Sequence, residues 1–176
     1  MKLGLGRNEV KLADYTPEWK NEFIRVKKEL VERLGIQEEQ IEHIGSTAID
    51  HMAAKPIIDI LVGVEDIDAI STRLKEVLKA VGFLRLRVQK SNEVVFAKFA
   101  DESFQIKTHY IHLVNYKEAT WNDLLFFRNY LNKNAEARKK YLEIKREYTS
   151  TFSTGIQEYT DYKEKFVQDI LAQQLK

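Results

Sequence analysis

The chain has 176 residues, 44% hydrophobic and 31% charged, with a formal net charge of +1 and no cysteine. That length and mixture fit one soluble globular domain over residues 1–176. The near-neutral charge gives no field for gripping nucleic acid, the missing cysteines exclude disulfides and thiolate metal sites, and no apolar run reaches the length of a membrane span.

The opening Met-Lys-Leu-Gly is too poor in apolar residues for a signal peptide, so a cytoplasmic protein is expected. Nothing in the sequence specifies an oligomeric state. Residues 7–14 alternate loosely, with Val10 and Leu12 apolar, and predict an edge strand. Thr16-Pro17-Glu18 predicts a helix start, with Thr as N-cap, Pro in the first turn and an acid behind it. Trp19, Phe23, Val26, Leu30 and Leu34 then form one apolar stripe, and Gly35 ends it.

A short apolar run, Ile41–Ile44, breaks at Gly45-Ser46-Thr47. After a small-residue loop and Lys55-Pro56, residues 57–64 are almost wholly apolar, as in a strand buried on both faces. One carboxylate, Asp59, lies inside that run, and a charge there needs a partner, a ligand or a metal. Asp66 then offers a cap for a second helix whose stripe is Ile67, Ile70, Leu74, Val77 and Val81, closed by Gly82.

The period now changes. Phe83 to Val88 predicts a strand, residues 89–92 a turn, Val94 to Phe99 a strand, and Phe104 to Val114 a third run carrying His109 and His112. From Tyr116 onward the pattern is helical, at about residues 117–132, 135–152 and 161–174, the last capped by Thr160. The sum is an α+β fold: a mixed sheet packed with helices and a helical C-terminal segment.

His-Ile-Gly-Ser-Thr at 43–47 and Ala-Ala-Lys-Pro-Ile-Ile-Asp-Ile-Leu-Val at 53–62 resemble the signature of the GrpB family, a group within the nucleotidyltransferase superfamily. His109-Tyr110-Ile111-His112-Leu113-Val114, Phe127-Arg128-Asn129-Tyr130-Leu131, Tyr141 to Lys145 and Tyr159 to Phe166 are similar to further family segments, in order. The resemblance covers nearly the whole chain and implies a nucleotidyltransferase-like sheet. The family also occurs fused to dephospho-coenzyme A kinase, which suggests a nucleotide or coenzyme A context.

In that superfamily a Gly-Ser turn packs against nucleotide phosphates, and two acids spaced Asp-x-Asp/Glu hold a divalent metal on the triphosphate. The resemblance therefore implies Gly45, Ser46 and Thr47 as a phosphate loop and Asp59 as a catalytic metal ligand, with magnesium or manganese as the expected ion. The next position on that face is Leu61, which cannot bind metal. His109 and His112 are the candidate replacement ligands. They are three apart, so a regular strand brings only one of them to Asp59, and either can instead be an ordinary core or surface histidine.

Lys55 enters the strand and reaches for phosphate or for water. Arg128 falls within an apolar stripe and demands an anionic partner, with Asp59 or a bound phosphate as candidates. Lys145 and Lys163 flank inward faces of the following helices, either converging with Arg128 on one anion or lying along apolar surface with their heads in water. The family has an acid where Asn129 stands. Two functions follow: a nucleotidyltransferase moving a nucleoside monophosphate, or a degenerate module that binds a nucleotide, a coenzyme A-like ligand or another phosphorylated small molecule.

Overall fold

The computed structural model describes residues 2–88 and 92–175. Helix α1 (Glu18–Leu34) buries Trp19, Phe23, Val26 and Leu30. Burying each such side chain is worth about 1.5–3 kcal/mol, far more than helix propensity supplies. The Thr16 hydroxyl accepts from the Glu18 N–H at 3.3 Å. Gly35 closes the helix in the left-handed conformation, its N–H returned to the Val31 carbonyl.

Strands β1 (Ile41–Ile44) and β2 (Ile58–Val64) pair antiparallel, joined through the irregular segment that turns at Gly45. Helix α2 (Thr72–Ala80) follows, then β3 (Phe83–Arg85), β4 (Val94–Phe99) and β5 (Lys107–Asn115). The sheet order is β1-β2-β5-β4-β3, with β2 and β5 parallel and every other pair antiparallel. Helices α3 (Ala119–Lys133), α4 (Ala135–Thr151) and α5 (Ile156–Leu171) complete the C-terminal part. The fold is the expected α+β arrangement, a mixed sheet with helices.

One sheet face carries Ile58, Ile60, Val62, Ile111 and Leu113 against the apolar stripe of α1 and Leu78 of α2. The other carries Ile44, Leu61 and Val114 against Trp121 of α3. A third cluster joins α3, α4 and α5 through Leu131, Tyr141, Phe166 and Ile170, with Ile49 and Met52 from the loop before β2.

Several expected boundaries move. Residues 7–14 form no strand; Glu9 and Ala13 make isolated bridges to Thr154 and Ala54, because no long partner edge lies beside them. Asp66 does not cap α2. Its carboxylate closes a local turn onto the Asp68 N–H, and Ser71 is the cap, accepting from Leu74 N at 3.1 Å. Helix α5 begins after Gly155, a full turn before Asp161, and Thr160 lies inside it with its hydroxyl donated to the Ile156 carbonyl. Strand β3 ends at Arg85, and β5 begins at Lys107, after a turn around Phe104. The turn expected at 89–92 lies mostly outside the described residues.

Candidate functional site: a lysine-lined cavity over Asp59

The site starts at the end of β1. Gly45 takes φ of 70°, and Ser46–Ala48 then make a single tight turn, closed by Ala48 N–H to the Gly45 carbonyl at 3.2 Å. Across the antiparallel ladder Ile44 pairs with Asp59, which lifts the Asp59 carboxylate directly under this turn. A Cβ on Gly45 would run into that carboxylate. Glycine is thus required here both for the backbone conformation and for the close approach to Asp59.

Leu61 stands where a second acid would be, and across the parallel ladder it pairs with His112. The His112 ring places Nε2 3.4 Å from Asp59 Oδ1 and hydrogen-bonds through Nδ1 to the Glu93 carboxylate. Burial opposes charge on this ring, but the hydrogen bonds and charges of Asp59 and Glu93 outweigh it and push the pKa up to about 9. The two carboxylates thus favour the protonated ring, which donates from both nitrogens.

The residues present do not fit a two-carboxylate metal centre. Asp59 supplies one acid, Leu61 none, and His112 is already bracketed. Among the described residues no group of three or more His, Asp or Glu is arranged to hold an ion.

His109 is not brought to Asp59. It points to the opposite face, where Nε2 lies 3.0 Å from Glu22 Oε1 of α1 and Nδ1 lies 2.8 Å from the Thr108 hydroxyl. Burial pushes its pKa down, with Glu22 pulling the other way. The cause is strand parity, since three positions along an extended chain reverse the side chain.

Between this sheet face and α3–α5 lies a cavity of about 350 Å³. Gly45, Ser46, Lys55, Asp59, His112 and Lys163 line it, with Asp123, Tyr141 and Tyr159 among the other wall residues. Lys163 sets its ammonium nitrogen 4.1 Å from the Tyr159 ring centroid, and Lys55 sets its own 5.4 Å from the same centroid. Burial, reinforced by Lys55, drives the Lys163 pKa down to about 7, while Asp59 and Glu164 resist. Burial also lowers Lys55, with Asp59 opposing. Tyr141 is pushed up to about 12 by burial, against a hydrogen bond from the Ser46 side chain.

Lys145 is fully buried and is not among the cavity-lining residues. Its nitrogen donates to the Ala53 carbonyl at 2.6 Å and sits 5.0 Å from the Tyr141 ring centroid. Burial first, then Lys163 and Lys55, lower its pKa strongly. It lies behind the cavity as a fastener of the loop before β2.

Arg128 has a different partner from those expected. Its guanidinium meets Glu42 at 2.6 Å and the His43 carbonyl at 2.7 Å, not Asp59. Helix α3 crosses the edge strand β1, so the acid within reach is the one on β1 itself. Thr47 is likewise turned inward: it is within hydrogen-bond distance of His43 Nε2, at 3.0 Å, and of the Ile57 carbonyl. Arg128 and Thr47 line a neighbouring groove of about 270 Å³ beside α1, on the far side of the Gly-Ser turn. His43 is stacked on Phe23 there, and burial lowers its pKa to about 4.

Glu93 and Asp123 are site residues that no sequence pattern marked, and Tyr141 and Tyr159 stood out only as the first residues of family-like segments, with no site role. The signal for Glu93 is register: Val95 pairs with His112, so Glu93, two residues earlier, projects to the same face. That pairing is not written in the local pattern.

The sequence profile described as GrpB protein matches residues 9–173. The chain belongs to the GrpB family. It is 40% identical over 170 residues to the glutamate-rich protein GrpB of Alkalihalophilus pseudofirmus, covering 96% of this chain and 98% of that one. The crystal structure of the conserved protein GrpB from Enterococcus faecalis superposes with a TM-score of 0.78 at 26% identity, covering 94% of this chain and all of that one. The Cid1 poly(U) polymerase bound to MgATP matches with a TM-score of 0.50 at 17% identity, over 73% of this chain and 42% of that one, a likeness of fold alone. A dephospho-CoA kinase of Mycobacterium leprae is 26% identical over 90% of this chain, which spans 44% of that protein. The family therefore has a nucleotidyltransferase-like sheet. No helix among the described residues is long and apolar enough to cross a membrane.

Proposed function

We propose that the cavity above Asp59 binds a phosphorylated small molecule, a nucleotide or coenzyme A-like compound, and does so without a metal ion. The observation that carries this reading is the convergence of Lys55 and Lys163 on one ring beside the open Gly45-Ser46 turn. Amines of this kind in a partly desolvated wall attract an anion more strongly than solvated ones. Ser46 adds a hydroxyl at the turn where the fold family seats phosphate. His112, wedged between Asp59 and Glu93, offsets part of their negative charge on the side where a divalent ion would otherwise lie. The dephospho-CoA kinase likeness is consistent with such a ligand.

A second reading is nucleotidyl transfer. It is supported by reading Asp59 as the counterpart of the superfamily's first acid, on the family resemblance, and by the fold likeness to a polymerase bound to MgATP.

Thermal melting with nucleoside triphosphates, coenzyme A and dephospho-coenzyme A, each in chelator, magnesium or manganese, separates the readings. A ligand at ~100 times its dissociation constant stabilises by about 2.7 kcal/mol. The binding reading expects this shift in chelator and its loss in Lys163→Gln. A shift that requires metal and vanishes in Asp59→Asn favours transfer. No shift with any phosphorylated compound overturns both.

A further inference from the structure

We propose that Lys163 is a nucleophilic amine that forms an imine with a small aldehyde or ketone carrying a phosphate group. Recognition of the phosphate rests on the anion-binding reading of the cavity and here falls to Lys55 and the Gly45-Ser46 turn, which leaves the Lys163 amine for the carbonyl; imine formation needs only that amine and the space in front of it.

Of the lysines gathered here, Lys145 is sealed in the core with its nitrogen committed to the Ala53 carbonyl. Lys163 lines the cavity from the first half of α5; the residue as a whole is half-buried, while its amine sits in the desolvated wall. Its nitrogen rests on the face of Tyr159, and none of the described residues holds it in a salt bridge of 4.0 Å or less. Groups that act on it from the surrounding elements are Lys55 before β2, Asp59 on β2, Lys145 on α4, and Tyr159 and Glu164 on α5 itself, and Asp123 on α3, Tyr141 on α4 and His112 on β5 line the same cavity.

Desolvation beside a second cation is how an amine is kept unprotonated at neutral pH for attack on carbonyls. At about 7, its pKa leaves roughly half the amine as free base at neutrality. The far wall, Leu124, Phe127, Val167 and Leu171, is apolar and suits the carbon skeleton of a small carbonyl compound.

The chemistry balances without any further reactant. The amine lone pair adds to the carbonyl carbon, the carbonyl π electrons move to oxygen, and a proton passes from nitrogen to that oxygen through water or Asp59. The carbinolamine then loses water, giving the imine. Borohydride traps it by delivering hydride to the imine carbon while solvent protonates nitrogen.

The test uses the full chain with pyridoxal 5′-phosphate as the phosphate-bearing aldehyde and pyridoxal as the control, each followed by borohydride and peptide mapping. The free-base advantage over a surface lysine is about 10³, partly offset by lower basicity, so Lys163 should label on the order of 10-fold faster or more. Its labelling rate should level off above pH of about 7, while surface lysines continue to accelerate. Pyridoxal should label Lys163 more slowly than its phosphate.

Equal rates for the two aldehydes would uphold the nucleophile and remove the phosphate. Labelling spread evenly over surface lysines, or concentrated on Lys55, would overturn the proposal. Lys163→Arg should lose the fast adduct; if that variant folds poorly, peptide mapping of the unaltered protein still decides between these outcomes. Nucleotide-induced stabilisation of an unaltered protein that shows no fast adduct would leave the anion pocket standing and the imine refuted.

Discussion

The two faces of the one sheet solve opposite problems with the same residue types. On the α1–α2 face, His109 is buried against Phe83 and Glu22 in a mainly apolar layer, and burial depresses its pKa. On the α3–α5 face, His112 lies three residues further along the same strand, between two carboxylates, with its pKa raised. The first is a packing histidine with a polar edge. The second is a histidine held between two acids at the floor of a cavity. The difference teaches that burial dominates when one acid faces the ring, as Glu22 does His109, and is overcome when two do, as Asp59 and Glu93 do His112.

The largest effect should come from the glycines that end an element on each side. Gly45 has positive φ and lies hard against Asp59, whereas Gly35 has positive φ with open space around it. Gly45→Ala should cost at least about 3 kcal/mol in urea unfolding and abolish ligand stabilisation. Gly35→Ala should cost about 1 kcal/mol and leave binding alone. Equal costs would mean that the turn over Asp59 has no special tightness.

The histidines come next, and their pH slopes should have opposite signs. His112 has a raised folded pKa, so its contribution is full below about 6.5 and is lost as pH rises through about 9. Over that window it should amount to about 2–3 kcal/mol, allowing for its partial exposure. Lys163 and Lys145, with lowered pKa values, act in the opposite direction at alkaline pH, so the readout is the difference between wild type and His112→Gln. His109 has a lowered folded pKa, so its contribution is present above about 6.5 and is lost as pH falls further. Chemical denaturation of His109→Gln from acid to neutral pH measures it. Slopes of the same sign would break the distinction between the faces.

The smallest effect is on affinity. An anion in the cavity favours protonated Lys163, so binding should take up a proton and weaken as pH rises above about 7, by at most ~10-fold per pH unit. Calorimetry in buffers of different ionisation enthalpy reads that proton directly. Binding without proton uptake would place the phosphate away from Lys163.

Much of this molecule was legible in the chain. The stripe from Trp19 to Leu30 and the stop at Gly35 specify α1, because burial and backbone freedom act over one or two turns. The apolar run with one acid specifies β2, and the break at Gly45 specifies the turn beside it. Strand parity already restricted Asp59 to one of the two histidines of β5. What local pattern does not contain is register between distant segments. The choice of His112 over His109 needed the parallel pairing of Leu61 with His112; Glu93 entered only through the pairing of Val95 with His112.

Arg128 was correctly marked as needing an acid, but which acid depended on the crossing of α3 over β1, and it is Glu42. Lys55 and Lys163 stand more than a hundred positions apart and meet at Tyr159 only because α5 packs back over the cavity. Side-chain period is a property of neighbours in sequence, so the chain alone determined most of the elements and their inward faces, though not the isolated bridges at 7–14 or the early start of α5. Charge partnership is a property of neighbours in space, so the tertiary structure alone decided which of the predicted site residues share a cavity.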